Sequence, residues 1–371
     1  MSSDQPFVLR WGIISTGAIA AKFVSDVLID PRTRAVGDVV HKVAVIGSRD
    51  AAKAKEFVNK FGRGDRSIKA YGTYEEVYAD KDVDAVYIGT PHTHHYQNSK
   101  DAILAKKHVL CEKPVTSNAT ELKSLMSLAK ENGVFFMEAM WTRFQPLACA
   151  FKRVLEDGRL GPPVSLRADL SDDLDIENLP TSHRILDPKL GGGALLDLGP
   201  YPMVWAIMTM YEHPDNKGEE PGHIAASMLK TPITGVDATT TFVLTFNRTL
   251  KAQAILSCSI TLPKTRPGAN IRFRNGNIII DAPIYKPGAF TVEYFDKLGS
   301  GNVETSETKE FSYIGGGWHF QADEVARCIR DGKLESSEWG HDKSLLEMKV
   351  FDEVRRQGGY KFPDGVEQVL G

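Results

Sequence analysis

From residue 8 to residue 138, apolar runs of strand length alternate with stretches of helical spacing. This alternation limits the possible folds more than any other feature of the 371-residue sequence. Strands read over 8–15, 42–47, 84–90, 108–111 and 134–138, and helices over 18–29, 51–61, 96–105 and 118–131. Parallel strands need long crossovers, usually helical, so the pattern predicts an α/β fold with a doubly wound parallel sheet. Ligands of such sheets sit outside the carboxyl ends of the strands. The residues that follow each strand are therefore the first candidates for function.

After the first strand comes Ser15-Thr16-Gly17-Ala18-Ile19-Ala20, a GxGxxA pattern with serine at the first glycine. Gly17 lets a phosphate approach the backbone, and Ala20 lets helix and strand pack closely. The strand before it and the helix after it are the context a dinucleotide site requires. The second strand ends in Ser48-Arg49-Asp50, where NAD-binding chains usually carry an acid for the ribose hydroxyls. A serine hydroxyl and a guanidinium both suit a 2′-phosphate, so the reading is NADP. Asp50 reads as the cap of the next helix. The competing possibility is a solvated Arg49 with Asp50 facing the ribose.

The strand over 84–90 runs into Thr90-Pro91-His92-Thr93-His94-His95. Three histidines in four residues raise the question of a metal. Ligands to one ion usually come from several elements, and no carboxylate or cysteine stands nearby at ligand spacing, so no metal is expected. The loop should instead line the cofactor or substrate, with His95 facing the site. The next strand delivers Glu112-Lys113-Pro114, and Pro114 stops it. Lys113 is a candidate for chemistry.

Beyond Trp141-Thr142-Arg143-Phe144 the texture changes. A helix over 147–157 precedes strand-like runs over 164–170, 239–246, 251–259, 277–281, 291–295 and 308–311, joined by Gly/Pro/Asn turns. They predict a mainly antiparallel, open-faced sheet in an α+β domain over 146–371, after a Rossmann-like domain over 1–145. Residues 212–222 read as a surface loop, and 321–330 and 343–356 as helices. The spare face of the sheet predicts a homodimer. Within this half, Gly191 to Gly193 lead into Asp197 and Tyr201, four residues apart. A helix would put the two on one face, but Pro200 and Pro202 leave its start open. A tyrosine near a lysine and a nicotinamide is a plausible proton carrier, and the competing role is a core tyrosine bonded to Asp197.

Net charge is −3, which argues against nucleic acid or an anionic membrane as partner. The four cysteines lack CxxC spacing, which fits a reduced compartment and no zinc site. The N-terminal stretch is polar, with no signal-peptide pattern, and no apolar run approaches a membrane span. A cytoplasmic location is the expectation.

Taken together, Gly12 to Ala20, Ser48-Arg49-Asp50, Gly89-Thr90-Pro91-His92, Cys111-Glu112-Lys113-Pro114, Met137 to Phe144 and Gly191 to Tyr201 resemble the glucose–fructose oxidoreductase/inositol dehydrogenase family. The finer likeness is to dimeric dihydrodiol dehydrogenases and fungal NADP-dependent D-xylose 1-dehydrogenases. Ser182-His183-Arg184 and the stretch from Glu324 to Ser336 add to it. The resemblance implies a Rossmann domain, an open-faced α/β domain and an active site between them. It puts catalysis on Lys113, Asp197 and Tyr201. Cofactor contacts would fall on Ser15, Thr16, Gly17, Ala18, Ile19, Ser48, Arg49, Thr90, Pro91, His92, His95, Glu112, Lys113, Trp141 and Arg143. Substrate would meet Lys113, Trp141, Arg143, His183, Arg184, Asp197, Tyr201 and Phe320. The implied reaction is C1 oxidation of an aldopyranose such as D-xylose, with a trans-dihydrodiol dehydrogenase and a non-catalytic NADP-binding regulator as rivals.

Overall fold

The computed structural model describes residues 5–370, so part of the polar N-terminal stretch lies outside it. The chain divides into two compact units. The first takes the residues up to Phe144 with Tyr313–Leu345 and the residues from Glu367 on; the second takes Gln145–Ser312 and Leu346–Val366.

In the first unit β1 (Phe7–Ile14), α1 (Ala18–Val27), β2 (Val39–Gly47), α2 (Ala51–Phe61), β3 (Lys69–Tyr71) and α3 (Tyr74–Ala79) are followed by β4 (Ala85–Ile88), α4 (His95–Leu104), β5 (His108–Glu112), α5 (Ala119–Asn132) and β6 (Phe136–Ala139). The sheet order is β3-β2-β1-β4-β5-β6 with every pairing parallel. The order reverses between β1 and β4, which makes their carboxyl ends the switch point where dinucleotides bind. β3 and α3 were not expected, being too short to show periodicity. α3 is held by a capping box between Thr73 and Glu76. Its Val77 packs onto Gly12 and Gly47, where a Cβ would lie 2.7 and 2.5 Å from the valine methyls.

The second unit holds α6 (Pro146–Glu156), β7 (Pro163–Ser171), α7 (Ala194–Leu198), α8 (Pro200–Ala206) and the strands β8 (His223–Lys230), β9 (Asp237–Phe246), β10 (Ala252–Ser259), β11 (Ala269–Phe273), β12 (Gly276–Ile280), β13 (Ala289–Phe295) and β14 (Val303–Glu310). They form one sheet, β14-β13-β12-β11-β7-β10-β9-β8, antiparallel except where β7 meets β10. Strand alternation buries Phe242, Leu244, Ala254, Leu256 and Ile271 on one face, while Thr241, Gln253 and Arg272 stay exposed on the other. The sequence reading missed β8 because none of its residues is buried, so it carries no apolar signal.

A continuous domain over 146–371 is not what the contacts give, because α9 (Trp318–Arg330) packs with the first unit. The cause is Asp26 on α1, whose carboxylate accepts from the backbone N–H of Gly316, Gly317 and Trp318 at 2.7–3.0 Å. It caps α9 across about 290 residues of sequence. Asp323, further along α9, accepts from Arg34 and from Nε2 of His41, whose Nδ1 takes the Trp11 indole N–H. α10 (His341–Gln357) closes the chain's regular structure and runs from one unit into the other.

Candidate active site

The first-unit site begins at the turn from β1 into α1. Ser15 takes φ 101°, a value that favours glycine. Its Oγ accepts the Gly17 N–H at 3.1 Å and its own N–H bonds the Gly47 carbonyl at 3.1 Å. The serine at the first-glycine position thus keeps the tight turn, at a strain of about 1–3 kcal/mol. Gly17 and Ala18 are exposed, and α1 starts with no side-chain cap and no acidic residue in its first turn. Its N–H groups and positive dipole end are left to an anion.

Beside this turn is a cavity of about 410 Å³ lined by Ser15, Thr16, Ser48, Arg49, Asp50, Lys53 and Tyr74. Asp50 accepts the Ala52 and Lys53 N–H groups at 2.8 and 3.4 Å, so the carboxylate is spent on capping α2. The structure shows no ion pair for Arg49 or Lys53 among the described residues. Two cations and a serine around a cavity fit a phosphorylated ribose. Lys53 and Tyr74 were not foreseen. Lys53 lies in the first turn of α2, four residues after Arg49, and was within reach of the sequence, whereas Tyr74 belongs to the unexpected α3. Burial raises the Tyr74 phenol, with the Arg49 charge opposing.

At the end of β4, Thr90 accepts from Asn98 Nδ2 at 3.0 Å through its hydroxyl. His95 was expected to face the site and does not. It is 0% exposed, with Nδ1 2.8 Å from the Pro114 carbonyl and Nε2 2.9 Å from that of Thr90. Its ring ties the loop after β4 to the segment after β5. Burial holds it down to about 4. A neutral ring donates to one of these carbonyls at a time. His92 and Pro91 are half-buried and His94 is exposed. Among the described residues no cluster of histidine, cysteine and carboxylates is placed to hold a metal.

β5 presents Glu112 buried and Lys113 half-buried. Burial pushes Glu112 up to about 7, against the pull of the Tyr87 hydroxyl at 2.6 Å and of the Lys113 charge. Trp141 is buried and stacked on Trp318, with ring centres 4.2 Å apart. Arg143, expected at cofactor and substrate, is 1% exposed and ion-paired with Glu338. Phe320, half-buried, lies against the rings of Tyr313 and His319.

In the second unit the chain stays helical through Gly199, at φ −56° and ψ −30°. Pro200 and Pro202 fall in the first turn of α8, where prolines are tolerated. Asp197 and Tyr201 therefore share one face, which the sequence left open, and both are buried. Arg184 donates to the two oxygens of Asp197 at 3.0 and 3.3 Å. His183 is half-buried, with Nδ1 taking the Ile185 N–H at 3.4 Å. Tyr201 packs at 54° to the Tyr285 ring. One residue went unnoticed in the sequence. Asp237, at the start of β9, accepts the Leu195 N–H at 2.7 Å and the Thr240 hydroxyl at 2.8 Å.

The model of an oxidoreductase family with an NAD-binding Rossmann fold matches residues 9–140, and that of the GFO/IDH/MocA C-terminal domain matches residues 149–279. The chain belongs to the Gfo/Idh/MocA oxidoreductases. Among relatives, a D-xylose 1-dehydrogenase (NADP(+)) of Hypocrea jecorina is 36% identical over 98% of this chain and 95% of its own. A trans-1,2-dihydrobenzene-1,2-diol dehydrogenase of Bos taurus is 34% identical over 96% and 98%. The aldose–aldose oxidoreductase of Caulobacter crescentus shares the fold, with a TM-score of 0.76 at 23% identity over 95% of this chain and 97% of its own. This oxidoreductase therefore carries both domains of its family, and the cavity at Ser48 and Arg49 lies in the dinucleotide-binding one.

Proposed function

We propose that this protein oxidises an aldopyranose at C1 with NADP, taking D-xylose to the 1,5-lactone. What carries the reading is Tyr201, fixed one helical turn after an arginine-paired Asp197, in a chain similar throughout to a sugar dehydrogenase. Bound NADP supplies the hydride acceptor. The Ser15 to Ile19 turn would hold the pyrophosphate, and Ser48, Arg49 and Lys53 the 2′-phosphate. Tyr201 takes the proton of the C1 hydroxyl. Lys113 keeps that phenol acidic and bonds the reacting oxygen, because a nearby ammonium favours the phenolate. Asp197 orients the tyrosine. Trp141, His183, Arg184 and Phe320 would supply the mixed aromatic and polar wall that a sugar needs. His95 and Arg143, both enclosed, serve by holding backbone and Glu338 in place.

A trans-dihydrodiol is the second candidate substrate, favoured by relatives such as the bovine enzyme and by the Trp141–Trp318 stack as an apolar wall. We also propose a homodimer through the exposed face of the eight-stranded sheet and a cytoplasmic location, where the four free cysteines stay reduced. Among the described residues no helix is long and apolar enough to cross a membrane. The test is NADP reduction, read by near-UV absorbance, with a panel of aldopyranoses and trans-dihydrodiols. D-xylose should give the highest kcat/KM. Faster reduction with the diols would transfer the assignment to them, and no reduction with any would favour a cofactor-binding regulator.

A further inference from the structure

α7, which carries Asp197 and leads through Gly199 into α8 with Tyr201, starts in an unusual way. Its N-cap is Gly193, at φ 115°, which has no side chain with which to cap. The Leu195 amide, second in α7, would then lack the oxygen acceptor that caps usually provide. The acceptor comes from another element. Asp237 reaches from the first residue of β9 and takes the Leu195 N–H at 2.7 Å. The Thr240 hydroxyl donates to the same oxygen at 2.8 Å. The fit is tight. A Cβ on Gly193 would lie 2.0 Å from Asp237 Oδ1, so the glycine and the carboxylate occupy what is ordinarily one residue's space.

We propose that Asp237 is a positioning residue for the reaction: it caps α7 from β9 and so fixes where Asp197 and Tyr201 stand. Leu195 and Asp197 are two residues apart on a helix of five, so a shift of the first turn moves Asp197 with it. Asp197 in turn is bonded to Arg184 at 3.0 Å, a geometry that tolerates little displacement. The carboxylate is fully enclosed and burial pushes it up to about 7, against the pull of Thr240 and Leu195. Such burial is a cost that a purely apolar contact would avoid. The inference rests on the proposed role of Asp197 and Tyr201.

The test compares Asp237→Asn, which removes the charge and replaces one of the two acceptor oxygens by an N–H donor that the tight site cannot partner, with Thr240→Val, which removes one donor to the same oxygen. Asp237→Asn should lower kcat by about ten- to a hundredfold, the scale of a small misplacement of reacting groups. Thr240→Val should lower it less. NADP affinity, measured by fluorescence quenching, should stay as in the wild type, since the cofactor cavity is built from the other unit. In an Asp197→Asn background the further loss from Asp237→Asn should shrink, because the two act through one turn. Wild-type kcat in Asp237→Asn, or undiminished loss in the Asp197→Asn background, overturns the inference. So does a parallel fall of kcat and NADP affinity, which marks general unfolding. If Asp237→Asn does not fold, Thr240→Val decides on the same readouts. Full turnover in both Asp197→Asn and Tyr201→Phe would instead overturn the functional reading on which the inference rests.

Discussion

Each unit buries one carboxylic acid behind its candidate catalytic group, and each acid is pushed to about 7, yet the two are held differently. In the first unit Glu112 adjoins Lys113 in sequence and bonds the Tyr87 hydroxyl across one strand. The loop around it is fixed by His95 between two carbonyls. All these groups lie at the ends of neighbouring parallel strands. In the second unit Asp237 lies 42 residues from the amide it caps. A parallel sheet brings its site together by topology, at strand ends that any such sheet shares. The second unit depends on a tertiary contact between α7 and β9.

The largest effects should come from the groups themselves. Lys113→Met and Tyr201→Phe should each cut turnover by at least about a hundredfold with NADP still bound, the usual cost of losing acid–base assistance. Steady-state turnover and fluorescence quenching measure both. If one variant keeps full turnover, the division of labour between the units is wrong.

Next in size is a pH effect confined to the second unit. Asp237 is raised from an ordinary 3.8 to about 7 on folding. The folded state thus binds this proton more tightly than the unfolded chain. Its contribution favours folding at low pH and is lost as pH rises from about 4 to about 7, by on the order of 4 kcal/mol at most. Asp237→Asn has no such titration. Between about pH 5 and about pH 8 the wild type should lose urea midpoint relative to this variant. Equal shifts would mean that the acid titrates normally and that the likeness to Glu112 is false.

Arg49→Ala should weaken NADP binding by about 1.5–3 kcal/mol and NAD binding little, since one charge-assisted phosphate contact is lost. Equal loss for both would remove the 2′-phosphate from the cavity. Smallest of all is Ser15. Replacing it by glycine should relieve the left-handed backbone and raise stability by about 1 kcal/mol, while Ser15→Ala should lower it through loss of the Oγ bond. Thermal unfolding of both variants measures this. A fall in stability for Ser15→Gly would show that the hydroxyl outweighs the strain.

The same comparison explains how far the sequence could be read. The parallel sheet and the Ser15, Ser48 and Lys113 positions were legible because strand alternation marks where strands end. The shared face of Asp197 and Tyr201 was legible in spacing but blocked by two prolines, whose place in a first turn needed the backbone. β8 carried no apolar signal. His95 was read as facing the site because a loop histidine and an enclosed one look alike in sequence; two carbonyls, one of them 19 residues away, decide it. Asp26 with α9 and Asp237 with α7 join elements far apart in sequence, and no local pattern records such pairs.

The account stands most directly on whether Lys113 and Tyr201 serve the same proton. The deciding measurement is the turnover of Lys113→Met/Tyr201→Phe on D-xylose beside both single variants. Groups that act as a unit lose little more together than apart, so the double variant should be within a few-fold of the worse single one. Losses that multiply would mean that the two groups act independently and would contradict the proposed pair.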